Sequence, residues 1–334
     1  MTSVANRCYK LLMFALLRRY AAILCTLALF PAICAAQWGP PRPKITGISH
    51  VGYYVSDLPA ALTFWHGLLG FDVYWELKKP GSDETRIAFL KINDHQHVEL
   101  FNEPTPHPPN MLSHICFTTD SIVNMRGYLA SSGISVPKEI GTTKAGDLAF
   151  EIKDPDGMLV EFVEPRKDGQ EARAAGKFAP PSRISTQIYH TGFLVGNTER
   201  SLDFYGRVLG FKETWRGSPN PNELSWINMK VPDGDDYVEF MLYSKAPTTS
   251  KDFGGKNHLA LAVPDIAAAA KELATRPAYK VYGKPLTIAT GVNGKRQLNL
   301  YDPDGTRVEL MEPNTVTGKP TPSSTAPPPT PSHD

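Results

Sequence analysis

Four histidines along this chain are each followed, 47 to 51 residues later, by a glutamate set among apolar residues. The pairs are His50 with Glu99, His114 with Glu161, His190 with Glu239, and His258 with Glu309. Nine histidines scattered over 334 residues would not be expected to give this regularity. Imidazole and carboxylate groups are common ligands of divalent transition metals, so the spacing predicts metal sites.

The apolar surroundings of the glutamates favour this interpretation. Val98 and Leu100 flank Glu99, for example, and an unpaired carboxylate buried among such residues is costly unless a cation neutralises it. A lone strand histidine is more often a core residue and a lone strand glutamate usually faces solvent, but neither accounts for four similar pairs. Two imidazoles with two carboxylates suit Fe, Ni, Zn, Mn or Co and leave positions open for a small-molecule substrate. We therefore expect up to two divalent metal ions per chain.

The chain also repeats itself. Residues 64–71 match residues 204–211 at an offset of 140, which also relates the first His/Glu pair to the third. The motif Asp-Pro-Asp-Gly occurs at 154–157 and again at 302–305, an offset of 148 that also separates Glu161 from Glu309. Proline and glycine in this motif favour a tight turn between two strands. The sequence therefore predicts two copies of a domain of about 120 to 130 residues.

Each copy divides into two similar units. In the first unit, a strand around His50 precedes a helix that begins near Leu58 and ends near Gly70, and three strand-like segments follow. The same order can be traced from each of the other three histidines. The predicted fold class is α+β, with four βαβββ modules.

This pattern resembles the vicinal oxygen chelate superfamily. The resemblance depends on the four modules, the Leu-Gly-Phe sequence that ends the first helix, the histidines that begin strands, and the turn that precedes Glu161 and Glu309. It implies that the modules pair into two curved, barrel-like mixed sheets with helices outside, each sheet around one metal. The implied ligands are His50, Glu99, His114 and Glu161 in one site and His190, Glu239, His258 and Glu309 in the other.

The resemblance places a first domain at 44–165 and a second at 185–313, joined by a linker at 166–184. The connection between the first two modules, 102–110, is short, and short connections favour pairing of neighbouring modules. We therefore expect each domain to contain a complete site. The alternative pairs the outer modules with each other and the inner modules with each other.

The resemblance also implies a reaction class. Sites with two histidines and two glutamates, one of each from every module, are similar to glyoxalase-type lyases and isomerases, in which a coordinated glutamate carries a proton between adjacent carbons. Glu161 and Glu309 are the expected proton carriers. Extradiol ring-cleaving dioxygenases are the second candidate, although the histidine and tyrosine expected beside their metal correspond here to Asn293 and Asn299. A binding protein without turnover and a chain with one active domain are further alternatives.

Other polar residues have candidate roles near these sites. His97 lies two residues before Glu99, so on a strand it shares the same face and is expected to support that ligand. Arg86, Arg296 and Asn228 lie on third strands of their modules and are candidates for binding a substrate carboxylate or hydroxyl.

The first 36 residues have the layout of a secretory signal peptide, with basic residues, an apolar stretch and small residues before a cleavage point at Ala36. Arg18 and Arg19 shorten the apolar stretch, which argues against an uncleaved membrane anchor. We therefore expect a periplasmic or extracellular protein that leaves the membrane after cleavage. Cys116 is then the one cysteine of the mature chain, and its apolar neighbours predict a buried packing residue.

Composition excludes some other functions. The net charge is +1 and no basic segment lies outside the N-terminus, so the sequence gives no indication of nucleic-acid binding. Hydrophobic residues make up 41% of the chain, which is enough to give each of two domains a core. The last segment, 314–334, is dense in Pro, Thr and Ser, which predicts disorder. We expect a monomer or a homodimer.

Overall fold

The computed structural model describes residues 40–103 and 109–330. The predicted signal peptide lies outside these residues. Within the described part of the chain, no helix is both long enough and apolar enough to span a membrane. The described residues from Arg42 onward form one compact unit.

The first half of this unit is a mixed eight-stranded sheet with the order β2-β3-β4-β1-β5-β8-β7-β6. The strands β1 and β5, which begin the first two modules, are antiparallel neighbours at its centre. Each pairs in parallel with the last strand of its own module, β4 or β8. The bounds are β1 Ile45–Val55, β2 Val73–Lys78, β3 Thr85–Lys91, β4 His97–Asn102, β5 Leu112–Thr119, β6 Gly141–Thr142, β7 Leu148–Lys153 and β8 Leu159–Glu164.

The second half repeats this arrangement in the order β10-β11-β12-β9-β13-β16-β15-β14. The prediction of four βαβββ modules in two mixed sheets is confirmed, and neighbouring modules share a sheet. The bounds are β9 Ile188–Val195, β10 Lys212–Gly217, β11 Trp226–Lys230, β12 Tyr237–Leu242, β13 His258–Ala262, β14 Ile288–Thr290, β15 Lys295–Tyr301 and β16 Arg307–Thr315.

A helix follows the first strand of each module, and local residues explain where each begins. Asp57, Ser121, Asn197 and Asp265 accept hydrogen bonds from backbone N–H groups of the first helical turn. The helices of the first and third modules continue as π-helix and end before glycines with positive φ. The helices are Leu58–Leu62 continuing as Thr63–Leu68, Ile122–Ser131, Gln170–Arg173, Thr198–Ser201 continuing as Leu202–Val208, Ser250–Lys256, Ile266–Thr275 and Pro277–Tyr282.

The two Asp-Pro-Asp-Gly turns do more than join strands. In the first turn, Asp154 accepts a hydrogen bond from the Tyr205 hydroxyl at 3.1 Å, and Asp156 accepts one from the Gly196 N–H at 3.1 Å. In the second turn, Asp304 accepts a hydrogen bond from the Ser56 N–H at 3.0 Å. Each turn therefore binds the first module of the other half, which holds the two sheets together.

The segments predicted as linker and tail both lie against the sheets. In the linker, the Gln170 N–H donates to the Ala145 carbonyl at 2.8 Å. After β16, the Val316 N–H donates to the carbonyl of Gly294 in the β14–β15 turn. The Ser324 N–H then donates to the carbonyl of Arg216 on the edge strand β10. Residues 316–330 therefore connect the two edges of the second sheet, which differs from the disorder that composition predicts, because backbone hydrogen bonds to a free strand edge need no apolar side chains.

Candidate metal centres

The first candidate centre contains the four residues predicted for the first domain. His50 and His114 lie on the two neighbouring central strands, two register positions apart, and their Nε2 atoms are 3.0 Å apart. Glu161 Oε2 lies 3.0 Å from the Nε2 of His50 and 3.6 Å from that of His114. Glu99 carboxylate oxygens lie 3.8 Å from the same two nitrogens. The structure thus brings all four side chains to one point.

The second candidate centre has the same plan. The Nε2 atoms of His190 and His258 are 3.0 Å apart. Glu309 Oε2 lies 3.5 Å from the first of these nitrogens and 3.7 Å from the second. Glu239 Oε2 lies 3.5 Å from His258 Nε2. All eight predicted ligands are at most 9% exposed.

Two glycines that the sequence analysis did not single out determine where two of these imidazoles lie. Gly52 pairs with His114 across the sheet, and Gly192 pairs with His258. A Cβ added to Gly192 would lie 1.9 Å from His258 Cε1, and one added to Gly52 would lie 2.5 Å from His114 Cε1. The rings therefore occupy the space of the missing side chains. The signal was present in the sequence as His-x-Gly at both 50–52 and 190–192.

The charges of the first centre balance one another. Burial alone would raise the pKa of Glu99, but the neighbouring His50 and a contact with His97 lower it to about 2. Burial would also raise the pKa of Glu161, but the hydrogen bond from His50 lowers it below its usual value. The pKa of His114 is lowered by burial and by His50. Histidine and carboxylate groups thus compensate each other's burial.

The second centre lacks this balance. Burial raises the pKa of Glu239 to about 8, and the nearby Glu309 adds to the effect. Burial also raises the pKa of Glu309. For His190 and His258, burial and then the charge of Arg307 lower the pKa well below its usual value. Each of the four groups is therefore driven toward its neutral form, because burial outweighs the opposing effect of Arg307 and Lys295 on the pKa of the two carboxylates.

The donor atoms fit a divalent metal. Ligands about 2.1 Å from an ion are about 3 Å apart when they are at right angles and up to about 4.2 Å apart at wider angles. The separations at both centres, 3.0 to 3.8 Å, lie within this range. His258 Nδ1 lies 2.7 Å from the Lys256 carbonyl, an arrangement that places the proton on Nδ1 and leaves Nε2 free to bind a metal.

His97 lies beside the first centre, as expected of a supporting residue. Its ring stacks on that of His50 at 4.5 Å, and its Nε2 lies 3.6 Å from Glu99 Oε1. Burial lowers the pKa of His97, but Glu171 and then Glu99 raise it to about 9. The sequence analysis missed Glu171 because it belongs to the linker, where no periodic pattern indicates which residues face a site. In the second centre, Tyr237 stacks on His190 instead.

The thiol of Cys116 is also close to the first centre. The residue is fully buried, as predicted, and its sulfur lies within 4.8 Å of ligand atoms of His50 and Glu161. Burial raises the pKa of this thiol well above its usual value, which does not favour a nucleophilic role.

A cavity opens at each centre, of about 220 Å³ in the first domain and about 230 Å³ in the second. Two of the candidate substrate-binding residues point elsewhere: Arg86 pairs with Glu103 and Arg296 with Glu312. Asn228 is buried on the strand position opposite Glu239. Asn293 borders the second cavity, and Asn299 lies opposite Glu309.

Comparison with known proteins gives a family. A family model described as Glyoxalase/Bleomycin resistance protein/Dioxygenase superfamily matches residues 47–162 and 187–310. Glyoxalase I of Saccharomyces cerevisiae is 25% identical over 229 residues, which cover 63% of this chain and 66% of the yeast protein, slightly under two thirds of its length. Lactoylglutathione lyase of Escherichia coli O157:H7 is 30% identical over 135 residues, 38% of this chain and 92% of the bacterial protein.

Solved structures share the fold. A Mn(II)-bound glyoxalase from Novosphingobium aromaticivorans aligns with a TM-score of 0.60 and 21% identity, covering 81% of this chain and 83% of that one. A variant of homoprotocatechuate 2,3-dioxygenase from Brevibacterium fuscum aligns with a TM-score of 0.60 and 16% identity, covering 85% of this chain and 76% of the other.

Proposed function

Because this chain belongs to the Glyoxalase/Bleomycin resistance protein/Dioxygenase superfamily, we propose that it is a metal-dependent enzyme of the glyoxalase type. Such an enzyme is a lyase or isomerase that moves a proton between adjacent carbons of a small hydroxycarbonyl substrate. The observation that carries the proposal is the convergence, in each domain, of two imidazole Nε2 atoms 3.0 Å apart with a carboxylate from each module beside them.

Two sets of residues would hold the metal: His50, Glu99, His114 and Glu161 in the first domain, and His190, Glu239, His258 and Glu309 in the second. A divalent ion bound there supplies a Lewis acid that stabilises negative charge on two neighbouring substrate oxygens. The metal identity among Fe, Ni, Zn, Mn and Co is left to measurement. The ligands themselves are oriented by the sheet, since they lie on its four central strands.

We assign the proton transfer to Glu161 and Glu309. In the first centre, His97 holds Glu99 from the side at 3.6 Å. Glu161 lies 3.0 and 3.6 Å from the two ligand histidines. It belongs to β8, the strand that follows the first Asp-Pro-Asp-Gly turn. The choice of these two glutamates over Glu99 and Glu239 rests on the resemblance to glyoxalase-type sites, and Glu161 lies close enough to the ligand histidines to take a proton at the centre and return it. Glu309 occupies the equivalent strand position.

The first cavity is suited to a small, partly apolar substrate. Phe89 and Phe101 border it together with Ile87 and Val163. These side chains limit access of water to the carboxylates, which strengthens electrostatic interactions with a bound substrate.

The test combines metal analysis with solvent exchange. The full chain is loaded with each candidate metal, and its metal content is measured by mass spectrometry. Dihydroxyacetone and related hydroxycarbonyl compounds, with S-lactoylglutathione for comparison, are then incubated in D₂O and examined by NMR for deuterium at carbon. We expect Glu161→Gln and Glu309→Gln to retain metal. Carbon exchange should fall at least about 100-fold at the affected site, the usual contribution of general acid–base catalysis.

Glu103→Gln is the matched control, because Glu103 pairs with Arg86 away from the cavity. A full chain that binds no metal would refute the proposed function. Metal binding with turnover that is unchanged in both glutamine variants would refute the assignment of the proton carriers. Metal binding without turnover of any substrate would support a binding protein.

A ring-cleaving dioxygenase is the second candidate, favoured by one observation in the second domain. One donor atom from each of His190, His258 and Glu309 lies within 4.8 Å of the others, a two-histidine, one-carboxylate cluster of the kind that binds iron in oxygenases. Oxygen uptake by the iron-loaded protein with catechol would favour this reaction, whereas carbon exchange without oxygen uptake favours the glyoxalase type.

Export is a further part of the proposal. Cleavage after Ala36 would give a mature protein that begins at Gln37, and N-terminal sequencing of the protein from a periplasmic or culture fraction tests it. An exported enzyme would not meet cytosolic glutathione adducts, so we expect hydroxycarbonyl substrates without glutathione to be preferred.

A further inference from the structure

The two centres have ligands of the same types, but the charged residues around them differ. Equivalent positions can be identified from strand register. They are the residue opposite each last-strand glutamate, the residue opposite each second histidine, and the residue four positions before the first of these. At these positions the first domain has Glu151, Leu159 and Asp147, and the second has Asn299, Arg307 and Lys295. Two carboxylates of the first domain are thus replaced, and two cations appear in the second.

Around the first cavity, negative charge prevails beyond the ligands. Asp147, Glu151 and Glu171 border it, with Lys144 and His97 as the basic residues beyond the ligands among its described bordering residues. A bound anion would be repelled by these carboxylates at short range and in surroundings where water screens little. This cavity therefore favours neutral or positively charged ligands.

Arg307 borders the second cavity and lacks a carboxylate partner. Within residues 40–103 and 109–330, no aspartate or glutamate oxygen lies within 4.0 Å of its guanidinium nitrogens. Its Nε is buried without a hydrogen-bond partner, and its Nη2 lies 2.8 Å from His258 Nδ1. A guanidinium nitrogen that is buried without an acceptor is costly, so Arg307 has unused capacity to bind a further acceptor.

Metal binding at His258 would take away a hydrogen-bond acceptor from Arg307. A metal on His258 Nε2 requires the proton on Nδ1, which can then donate to the Lys256 carbonyl 2.7 Å away. A protonated Nδ1 cannot also accept a hydrogen bond from Arg307. The guanidinium therefore loses its one side-chain acceptor and needs another beside the cavity.

Two tryptophans complete the wall of the second cavity. Trp215 and Trp226 border it, and the Nε1–H of Trp215 is buried without an acceptor in the described residues. Gly217 allows the Trp215 ring to lie against β10, because a Cβ there would come within 2.1 Å of the ring. The cavity is thus bordered by two indole rings and the Arg307 guanidinium, which suit an apolar ligand with an anionic group. Its volume, about 230 Å³, is below the roughly 300 Å³ at which pockets for drug-sized ligands begin.

We propose that the second site binds small ligands that carry a negative charge, held by Arg307, and that the first site excludes them. The two domains would then act on different substrates, or on one substrate in different charge states. This inference rests on the proposed function, because the argument about Arg307 assumes a metal at His258.

The test uses two probes that differ by one carboxylate: benzohydroxamic acid and 4-carboxybenzohydroxamic acid, each of which offers two neighbouring oxygens to a metal. The full chain with His50→Ala and His114→Ala isolates the second site, and the full chain with His190→Ala and His258→Ala isolates the first. Each is loaded with Co(II), and binding is followed by the visible spectrum of the metal and by calorimetry.

At the second site, the carboxylated probe should bind at least about 10-fold more tightly than the neutral one, an energy within the usual range for hydrogen bonds to charged groups. At the first site, it should bind more weakly than the neutral probe. Arg307→Leu, which introduces the residue type of the first domain, should remove the preference. Arg296→Leu is the matched control, because Arg296 pairs with Glu312 and does not border the cavity.

Cobalt content of the same samples separates the two proposals. Absence of cobalt from both single-site variants would overturn the proposed function and this inference with it. Cobalt binding with equal affinity of the probes at the second site, or a preference that survives Arg307→Leu, would overturn the inference alone.

Discussion

Replacing Gly192 by alanine should remove the metal from the second centre and leave the first intact. The new Cβ would lie 1.9 Å from Cε1 and 2.2 Å from Nδ1 of His258. Non-bonded carbon atoms are separated by at least about 3.5 Å, so the imidazole must move by about 1.5 Å. A zinc–nitrogen bond is only about 2.1 Å long, and a shift of this size takes Nε2 out of bonding range. The strands cannot easily separate instead, because β9 and β13 are paired by the sheet.

The equivalent substitution at Gly52 allows the effects on the two centres to be compared within one chain. A Cβ there would lie 2.5 Å from His114 Cε1, so the ring must move by about 1 Å. We therefore expect Gly52→Ala to weaken metal binding at the first centre, with a smaller effect than Gly192→Ala has on the second. Gly255→Ala is the control, because nothing lies within 4 Å of a Cβ at that helical position.

The assay is metal stoichiometry of the full chain by mass spectrometry after dialysis against a graded series of chelator concentrations. Circular dichroism and the unfolding midpoint establish that each variant is folded. Gly192→Ala should keep one metal equivalent of two, and the control should keep both. A folded Gly192→Ala protein that retains both equivalents with wild-type affinity would show that the glycine does not determine the position of His258.

Two further predictions concern the second Asp-Pro-Asp-Gly turn and the segment that follows β16. Burial raises the pKa of Asp302 to about 7, so the folded protein keeps a proton that the unfolded chain releases near pH 4. The free energy of unfolding should therefore fall as the pH rises from 4 to 7, by about 3 kcal/mol from this group. Asp302→Asn retains an oxygen for the N–H groups of Asp304 and Thr306 and should flatten that decline in urea titrations; an equally steep decline would contradict the assignment. Ending the chain after Thr315 removes the backbone bonds that Val316, Ser324 and Pro327 make, each worth about 1 kcal/mol. The truncated protein should lose about 3 kcal/mol of stability, and an unchanged midpoint would show that the segment contributes nothing.

Much of the fold and of the candidate centres could be predicted because the relevant patterns are local or repeated. Alternation along a strand places His50 and Gly52 on one face, and the recurrence of each histidine and glutamate at a constant offset identifies equivalent strands. The Asp-Pro-Asp-Gly turns have the residues that a tight turn needs. The same motif gave no indication that Asp154 and Asp156 bind the other half, because those partners lie 40 and 51 residues away in the chain.

The sequence by itself determined the modules, the ligand types and the predicted membership of each centre, since these depend on side-chain alternation and on spacing within a repeat. Tertiary structure alone decided what surrounds the ligands. Glu171 borders the first cavity but belongs to a segment without periodicity. Arg307 and Trp215 both border the second cavity, although their strands, β16 and β10, lie in opposite halves of the strand order. The electrostatic character of each cavity depends on distances between residues far apart in the chain, and no local pattern encodes those distances.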